Sequence, residues 1–115
     1  HKDTTILREE LLNLKGIGTE KADDILLYSC EQPIFVIDAY TRRIFSRHGI
    51  LDGKLKYEKI QEFFHEHLPE DVYIYKEYHG LIVWTGKDFC RKMPKCSSCP
   101  LNKYTVTNQD FIKNV

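Results

Sequence analysis

The chain has 115 residues with equal numbers of acidic and basic side chains, so its formal net charge is zero. This length corresponds to one domain or part of one, and the neutral balance excludes the broad positive field of a strong non-specific nucleic-acid binder. No apolar run is long enough to span a bilayer, and no signal-peptide pattern is visible. We therefore expect no membrane contact and, in a prokaryote, a cytoplasmic location. The chain lacks an initiator Met and enters a helical pattern at once, so we expect it to be cut from a longer protein.

The first predicted feature is a pair of helices. Leucines recur at helical spacing from Leu7 to Leu14, and the pattern stops at residues 15–18, which contain two glycines. Thr19 can then cap a second helix, whose apolar face includes Ala22 and Leu26. The sequence therefore predicts a helix, a short hairpin and a second helix.

A short apolar stretch, Ile34 to Ile37, follows Pro33 and has the length of a buried strand. Its helical surroundings argue against a strand. Asp38 is a favoured N-cap and Gly49 a favoured C-terminal residue, so a helix is predicted between them.

Two further helices are predicted, over 57–68 and 72–89. In the second, Leu81 to Trp84 is apolar all round and is expected at the centre of the core. Alternating patterns are almost absent, so the predicted class is all-α.

The hairpin glycines have two interpretations. Without side chains they let main-chain N–H groups at the start of the second helix face an anion such as phosphate. Alternatively, they serve only the geometry of an ordinary turn. The predicted DNA-contacting residues are Leu14, Lys15, Gly16, Ile17, Gly18, Thr19 and Lys21. Lys15 and Lys21 can equally be solvated cations.

Three of the four cysteines lie close together, with Cys90, Cys96 and Cys99 in the pattern C-x5-C-x2-C. This clustering favours a metal site over ordinary core cysteines. Residues 102–105 supply no fourth cysteine, and Cys30 is predicted to be a buried structural cysteine on the second helix.

The hairpin, the stretch 34–38 and the cysteine cluster occur in the order and approximate spacing seen in the helix-hairpin-helix DNA glycosylases related to endonuclease III. The stretches 14–18 and 22–26, with Tyr78-His79-Gly80, most resemble the 3-methyladenine DNA glycosylase branch. The resemblance implies a partial helix-hairpin-helix glycosylase fold with a C-terminal cysteine-cluster loop. Residues 1–32 would end the six-helix domain, residues 33–115 would form the C-terminal lobe, and the N-terminal half of the enzyme would be absent from this chain.

The resemblance also implies a function. Relatives flip a damaged base out of double-stranded DNA and place an aspartate beside its sugar, the position of Asp38 here. Glu20 occupies the position of the lysine that forms a Schiff base in bifunctional relatives, so the prediction is a monofunctional N-glycosylase that releases an alkylated purine. Without that resemblance, the sequence predicts only that Asp38 caps a helix. The alternatives are a bifunctional endonuclease III-type enzyme acting on oxidised pyrimidines, or a non-catalytic DNA-binding fragment.

The cysteine segment resembles the iron-sulfur segment of the same enzymes. A structural [4Fe-4S] cluster is therefore predicted, with its fourth ligand unassigned, while zinc and a metal-free site stay open. The full-length protein is expected to be a monomer. The fragment alone is expected to be inactive.

The remaining polar side chains carry weaker predictions. Asp23, His65 and His67 are expected to be solvated. Arg42 and Arg43 are expected either to reach phosphate or to lie on the surface.

Overall fold

The computed structural model describes residues 3–91 and 95–101 of the chain, with the Cys96 side chain left out. These residues form five α-helices and a short 3-10 turn at Cys96–Ser98: α1 (Thr4–Leu12), α2 (Thr19–Tyr28), α3 (Ala39–Arg47), α4 (Tyr57–His67) and α5 (Val72–Asp88). This described part contains no strand, so the all-α prediction is confirmed.

The chain divides into two compact units. One unit comprises His1–Ile37 and Lys56–His79, and we call it the hairpin unit. The other comprises Asp38–Leu55 and Gly80–Val115, and we call it the α3 unit. The assignment of 1–32 and 33–115 to the lobes of a longer enzyme stays a prediction.

The helix ends of the hairpin differ slightly from the prediction. α1 ends at Leu12, and the Leu14 side chain is 55% exposed instead of continuing the apolar face. The N-cap of α2 is Gly18, in an extended conformation, and Thr19 is the first helical residue. Thr19 was therefore the wrong residue for the cap, because Gly18 already takes the extended cap conformation.

The core of the hairpin unit is built on Phe35. Its ring stacks on Phe64 with centroids 4.5 Å apart and meets the edge of Tyr75 at 5.6 Å. Residues 34–37 are all buried, yet they form neither helix nor strand, which agrees with the rejection of a strand there. The backbone polar groups of this segment need other partners, because buried N–H and C=O groups are costly when unpaired.

In the α3 unit, α3 meets the second half of α5 at Gly86. A Cβ at Gly86 would lie 2.4 Å from Cδ1 of Tyr40, so only glycine fits there without displacing the ring. Ile44 and Ile82 are buried in this unit. Close packing of the two helices therefore depends on one small residue.

The prediction that Leu81 to Trp84 lies at the centre of the core is wrong. Ile82 is buried, but Leu81 is 58% and Trp84 47% exposed. A helix segment that is apolar all round gives no indication of which face turns inward, and here the inward positions continue through Thr85 and Gly86.

Among the described residues, no helix combines the length and apolar composition required to cross a membrane.

Candidate functional site

The hairpin between α1 and α2 contains two glycines with different physical roles. Gly16 has φ +86°, a conformation that strains any other residue. Gly18 has φ −89°, and a Cβ there would meet nothing within 4 Å. The fold of the described chain therefore requires glycine at 16 but not at 18.

The first turn of α2 presents its charged side chains outward. Glu20 and Lys21 are exposed, as is Lys15 in the hairpin, while Ile17 and Thr19 are half-buried. No side chain caps the N-terminus of α2. Main-chain N–H groups at this helix start therefore lie beside an exposed glycine, as the anion-site interpretation requires.

Asp38 is the N-cap of α3, as predicted. Its Oδ1 accepts hydrogen bonds from the Thr41 backbone N–H at 2.8 Å and from the Thr41 hydroxyl at 2.9 Å. Thr41 is fully buried, whereas Asp38 is only half-buried. The buried Thr41 therefore holds the Asp38 carboxylate in one orientation.

The cysteine segment is described in part. Cys90 is buried and its Sγ accepts from Arg47 Nη1 at 3.6 Å, while the half-buried Cys99 accepts from the Leu101 N–H at 3.4 Å. The predicted ligand side chain of Cys96 and the residues 102–115 lie outside the described part.

The described residues do not assemble a metal site. No group of three or more His, Cys, Asp or Glu side chains among them could hold a metal ion. The [4Fe-4S] cluster, zinc and a metal-free site all stay predictions. Cys30 was predicted to be buried and is exposed, because α2 ends at Tyr28 before reaching it.

Arg42 and Arg43 both donate to main-chain carbonyls within the α3 unit. Arg42 Nη1 donates to the carbonyl oxygens of Gly53 at 3.0 Å and Leu55 at 2.6 Å. Arg43 donates to Cys90 O at 2.6 Å and to Gly86 O at 3.1 Å. Both guanidinium groups thus contact the protein's own backbone, and contact of either with phosphate stays a prediction.

A buried polar cluster in the hairpin unit was missed by the sequence prediction. Asp23, expected to be solvated, has no exposed surface. Its Oδ1 accepts from Arg8 Nε at 2.7 Å, and its Oδ2 accepts from the Tyr57 hydroxyl and from Gln61 Nε2, each at 2.8 Å. This buried charge is both paired and hydrogen-bonded, which is the condition for burying one at tolerable cost.

The contacts and the burial of this cluster shift the pKa values of Arg8 and Tyr57. The hydrogen bond from Arg8 to Asp23 raises the pKa of Arg8, and burial raises the pKa of Tyr57. Both groups therefore stay donors to Asp23 at neutral pH. The spacing of Tyr57, Gln61 and His65, four residues apart on α4, was the available signal, since such residues share a helix face.

His65 is exposed, as predicted, and its ring also contacts the protein's own backbone. Its Nε2 lies 2.9 Å from the Phe35 backbone N and accepts that N–H. His67 is exposed too, with its Nδ1 near the Phe63 carbonyl of its own helix.

The described part of the chain is helical and contains a helix-hairpin-helix motif. The chain is 52% identical over 106 residues to a protein of Methanocaldococcus jannaschii that carries the provisional name DNA repair glycosylase. It is 33% identical over 115 residues to endonuclease III of Sulfolobus acidocaldarius, and 32% identical over 99 residues to a thymine/uracil-DNA glycosylase of Pyrobaculum aerophilum. These matches cover 92%, 97% and 82% of this chain and 48%, 50% and 43% of those proteins.

A solved endonuclease III–DNA complex has the same fold, with a TM-score of 0.80 at 20% identity over 92% of this chain and 49% of that one. No family model matches the sequence. The relatives and the shared fold together support the resemblance to the endonuclease III-like DNA glycosylase superfamily. The chain spans about half the length of the curated relatives it matches.

Proposed function

We propose that the full-length protein is a monofunctional DNA N-glycosylase of base-excision repair, with Asp38 as its catalytic carboxylate. The observation that carries the proposal is the presentation of Asp38, a half-buried carboxylate at the N-terminus of α3 whose Oδ1 is fixed by two hydrogen bonds from Thr41. The chain's similarity to DNA glycosylases supplies the reaction class.

The chemistry suits a fixed carboxylate. When the bond between the sugar C1′ and the base nitrogen breaks, the base leaves with the electron pair and positive charge develops on the sugar. An ionised Asp38 stabilises that charge and accepts a proton from the water whose oxygen adds to C1′. A helix N-terminus favours the ionised form.

The absence of the lyase step follows from one position. Glu20, not lysine, stands two residues after the second hairpin glycine, in the first turn of α2. A carboxylate cannot form a Schiff base, and Lys21 is rotated about 100° around the helix from that position.

Double-stranded DNA is the proposed partner, with the hairpin on a backbone phosphate. Gly18 supports this placement because neither its φ nor its surroundings require glycine. Absence of a side chain there keeps the α2 N–H groups open to close approach by an anion.

The proposed lesion is an alkylated purine such as 3-methyladenine, on the basis of the branch that the hairpin sequence resembles. Such bases already carry positive charge and leave with little acid assistance. The second candidate is removal of thymine or uracil, favoured by the name of the Pyrobaculum relative. The endonuclease III relatives favour the bifunctional alternative, which Glu20 opposes.

The test uses the full-length protein on duplexes that each carry one 3-methyladenine, one thymine glycol or one G·T mismatch. Strand breaks are scored with and without alkali, and borohydride trapping is run in parallel. Breaks at 3-methyladenine that need both protein and alkali, with no trapped adduct, are the expected result. Breaks without alkali and a trapped adduct would establish the lyase, and alkali-dependent breaks at the mismatch would establish the second candidate.

Binding without base release by the full-length protein on all three duplexes would reduce the function to a DNA-binding module. The same assays on the 115-residue chain test whether it is inactive alone, as we propose.

A further inference from the structure

The buried segment 35–37 is held by side chains of α4. Phe35 donates its N–H to His65 Nε2 at 2.9 Å, and its carbonyl accepts from Gln61 Nε2 at 2.7 Å. The Ile37 N–H donates to the Tyr57 hydroxyl at 3.2 Å. Three side chains at four-residue intervals thus replace the neighbouring strand that an extended segment normally pairs with.

The directions of these hydrogen bonds are fixed by chemistry. A backbone N–H can only donate, so the Tyr57 oxygen accepts from Ile37 and its single hydrogen is available to Asp23 Oδ2, 2.8 Å away. Gln61 Nε2 likewise donates both to Asp23 and to Phe35 O. The buried Asp23 carboxylate therefore orients the two side chains that hold the segment.

Asp23 is itself fixed from a third helix. Arg8 of α1 donates to both carboxylate oxygens, at 2.7 and 3.2 Å. The same carboxylate thus connects α1, the hairpin helix α2 and the α4 side chains. The next residue after the held Ile37 is Asp38.

We infer that Tyr57 and Gln61, anchored by Asp23, are positioning residues for Asp38: they fix the backbone that leads into it. This inference rests on the proposed catalytic role of Asp38. Its basis is that residues 35–37 form no helix or strand and pair with no backbone group of the described residues, so their conformation depends on these side-chain hydrogen bonds.

The test compares Tyr57→Phe with Ile60→Val in the full-length protein. Tyr57→Phe keeps the ring and removes the hydroxyl that joins Asp23 to Ile37. Ile60 is fully buried on the same helix, and its truncation removes one methyl group without touching a hydrogen bond of the segment. Two readouts are used: amide hydrogen exchange at Ile37, and single-turnover base release from duplex DNA carrying one 3-methyladenine, with the Kd for the same DNA.

We expect Tyr57→Phe to accelerate exchange at the Ile37 amide by about tenfold while Leu26 in α2 keeps its protection. We also expect base release to slow by about tenfold with Kd unchanged, because misplacing a reacting group lowers the rate of the chemical step without loosening binding. Ile60→Val should lower the denaturation midpoint without changing either readout.

An unchanged Ile37 exchange rate in Tyr57→Phe, or a rate of base release equal to that of Ile60→Val, overturns the inference. A wild-type protein that releases no base contradicts the proposed function instead. In that case the exchange rate at Ile37 still decides whether the network holds the segment.

Discussion

Gly86 lies so close to the Tyr40 ring that a single added carbon would sit 2.4 Å from Cδ1 and 2.8 Å from Cγ. Tyr40 follows Asp38 by two residues on α3, so this contact belongs to the helix that the proposed catalytic residue caps. The ring is further covered by the Arg43 guanidinium, 5.3 Å from its centroid.

We therefore predict that Gly86→Ala destabilises the protein by about 1 to 3 kcal/mol, the usual cost of forcing an extra group into a packed contact. Gly80→Ala is the matched control, because it lies on the same helix and its Cβ would meet nothing within 4 Å. There the replacement should stabilise by about 0.5 to 1 kcal/mol through helix propensity. Urea denaturation measures both, and equal midpoints for the two variants would contradict the packing argument.

Removing the partner of the buried Asp23 carboxylate should lower the free energy of unfolding more than Gly86→Ala does. Arg8→Met leaves Asp23 without its cation, and we expect the free energy of unfolding to fall by about 3 to 5 kcal/mol, a large fraction of the stability of an ordinary domain. The control is Lys59→Met, which removes an exposed partner of Glu62 at 3.7 Å and should cost under about 1 kcal/mol. A loss below 1 kcal/mol for Arg8→Met would show that the pair is not buried as described.

The stability of the hairpin unit should depend on pH through His65. Partial burial lowers the pKa of His65 below its ordinary 6.5, and Arg8 acts in the same direction, while the charges of Asp23 and Glu70 oppose the shift. The ring stacks on Tyr75 at 5.6 Å and accepts the Phe35 N–H, so protonation removes that acceptor. The unfolded chain takes up the proton more readily, and unfolding therefore becomes easier in acid.

The contribution of His65 is complete above about pH 6.5 and is lost as the pH falls from there through the lowered folded-state pKa. Free energies of unfolding measured between pH 5 and 8 should show this slope. His65→Gln keeps an acceptor for the Phe35 N–H but cannot titrate, so its slope should be smaller. Equal slopes in the two proteins would remove His65 from the pH dependence.

The hairpin allows stability and DNA binding to be separated. Gly18→Ser places a good N-cap residue in an extended conformation, so stability should be kept or raised by roughly a few tenths of a kcal/mol. The added side chain should nevertheless weaken binding to duplex DNA by about tenfold if phosphate approaches the α2 N–H groups. Unchanged DNA affinity would favour the interpretation in which the glycines serve only the turn.

Much of the fold was predictable because local rules agree with it. Asp38 caps α3 as a favoured N-cap residue should, and Gly49 has φ +72° just after that helix. The rejection of a strand at 34–37 also agreed with the structure, since the surrounding helices offer no partner strand.

The failures share a physical cause, which is that burial depends on packing between elements distant in the chain. The sequence places Asp23 beside Asp24 and so predicts a solvated residue. In the fold, Arg8, Tyr57 and Gln61 donate hydrogen bonds to it. The apolar run around Trp84 predicts a core residue, but the inward face of α5 lies elsewhere and Trp84 is exposed. The role of Asp38 could be named only by resemblance, because a cap and a catalytic carboxylate have the same local sequence.

The most direct test of the central claim is single-turnover base release by the full-length protein and its Asp38→Asn variant on duplex DNA carrying one 3-methyladenine. Asparagine is also a favoured N-cap residue, so α3 and the DNA affinity should be retained. We predict that the variant binds with an unchanged Kd and releases base at least about a hundredfold more slowly, because the negative charge opposite the developing sugar cation is gone. Base release at the wild-type rate would exclude Asp38 from the chemistry and contradict the proposed function of this residue.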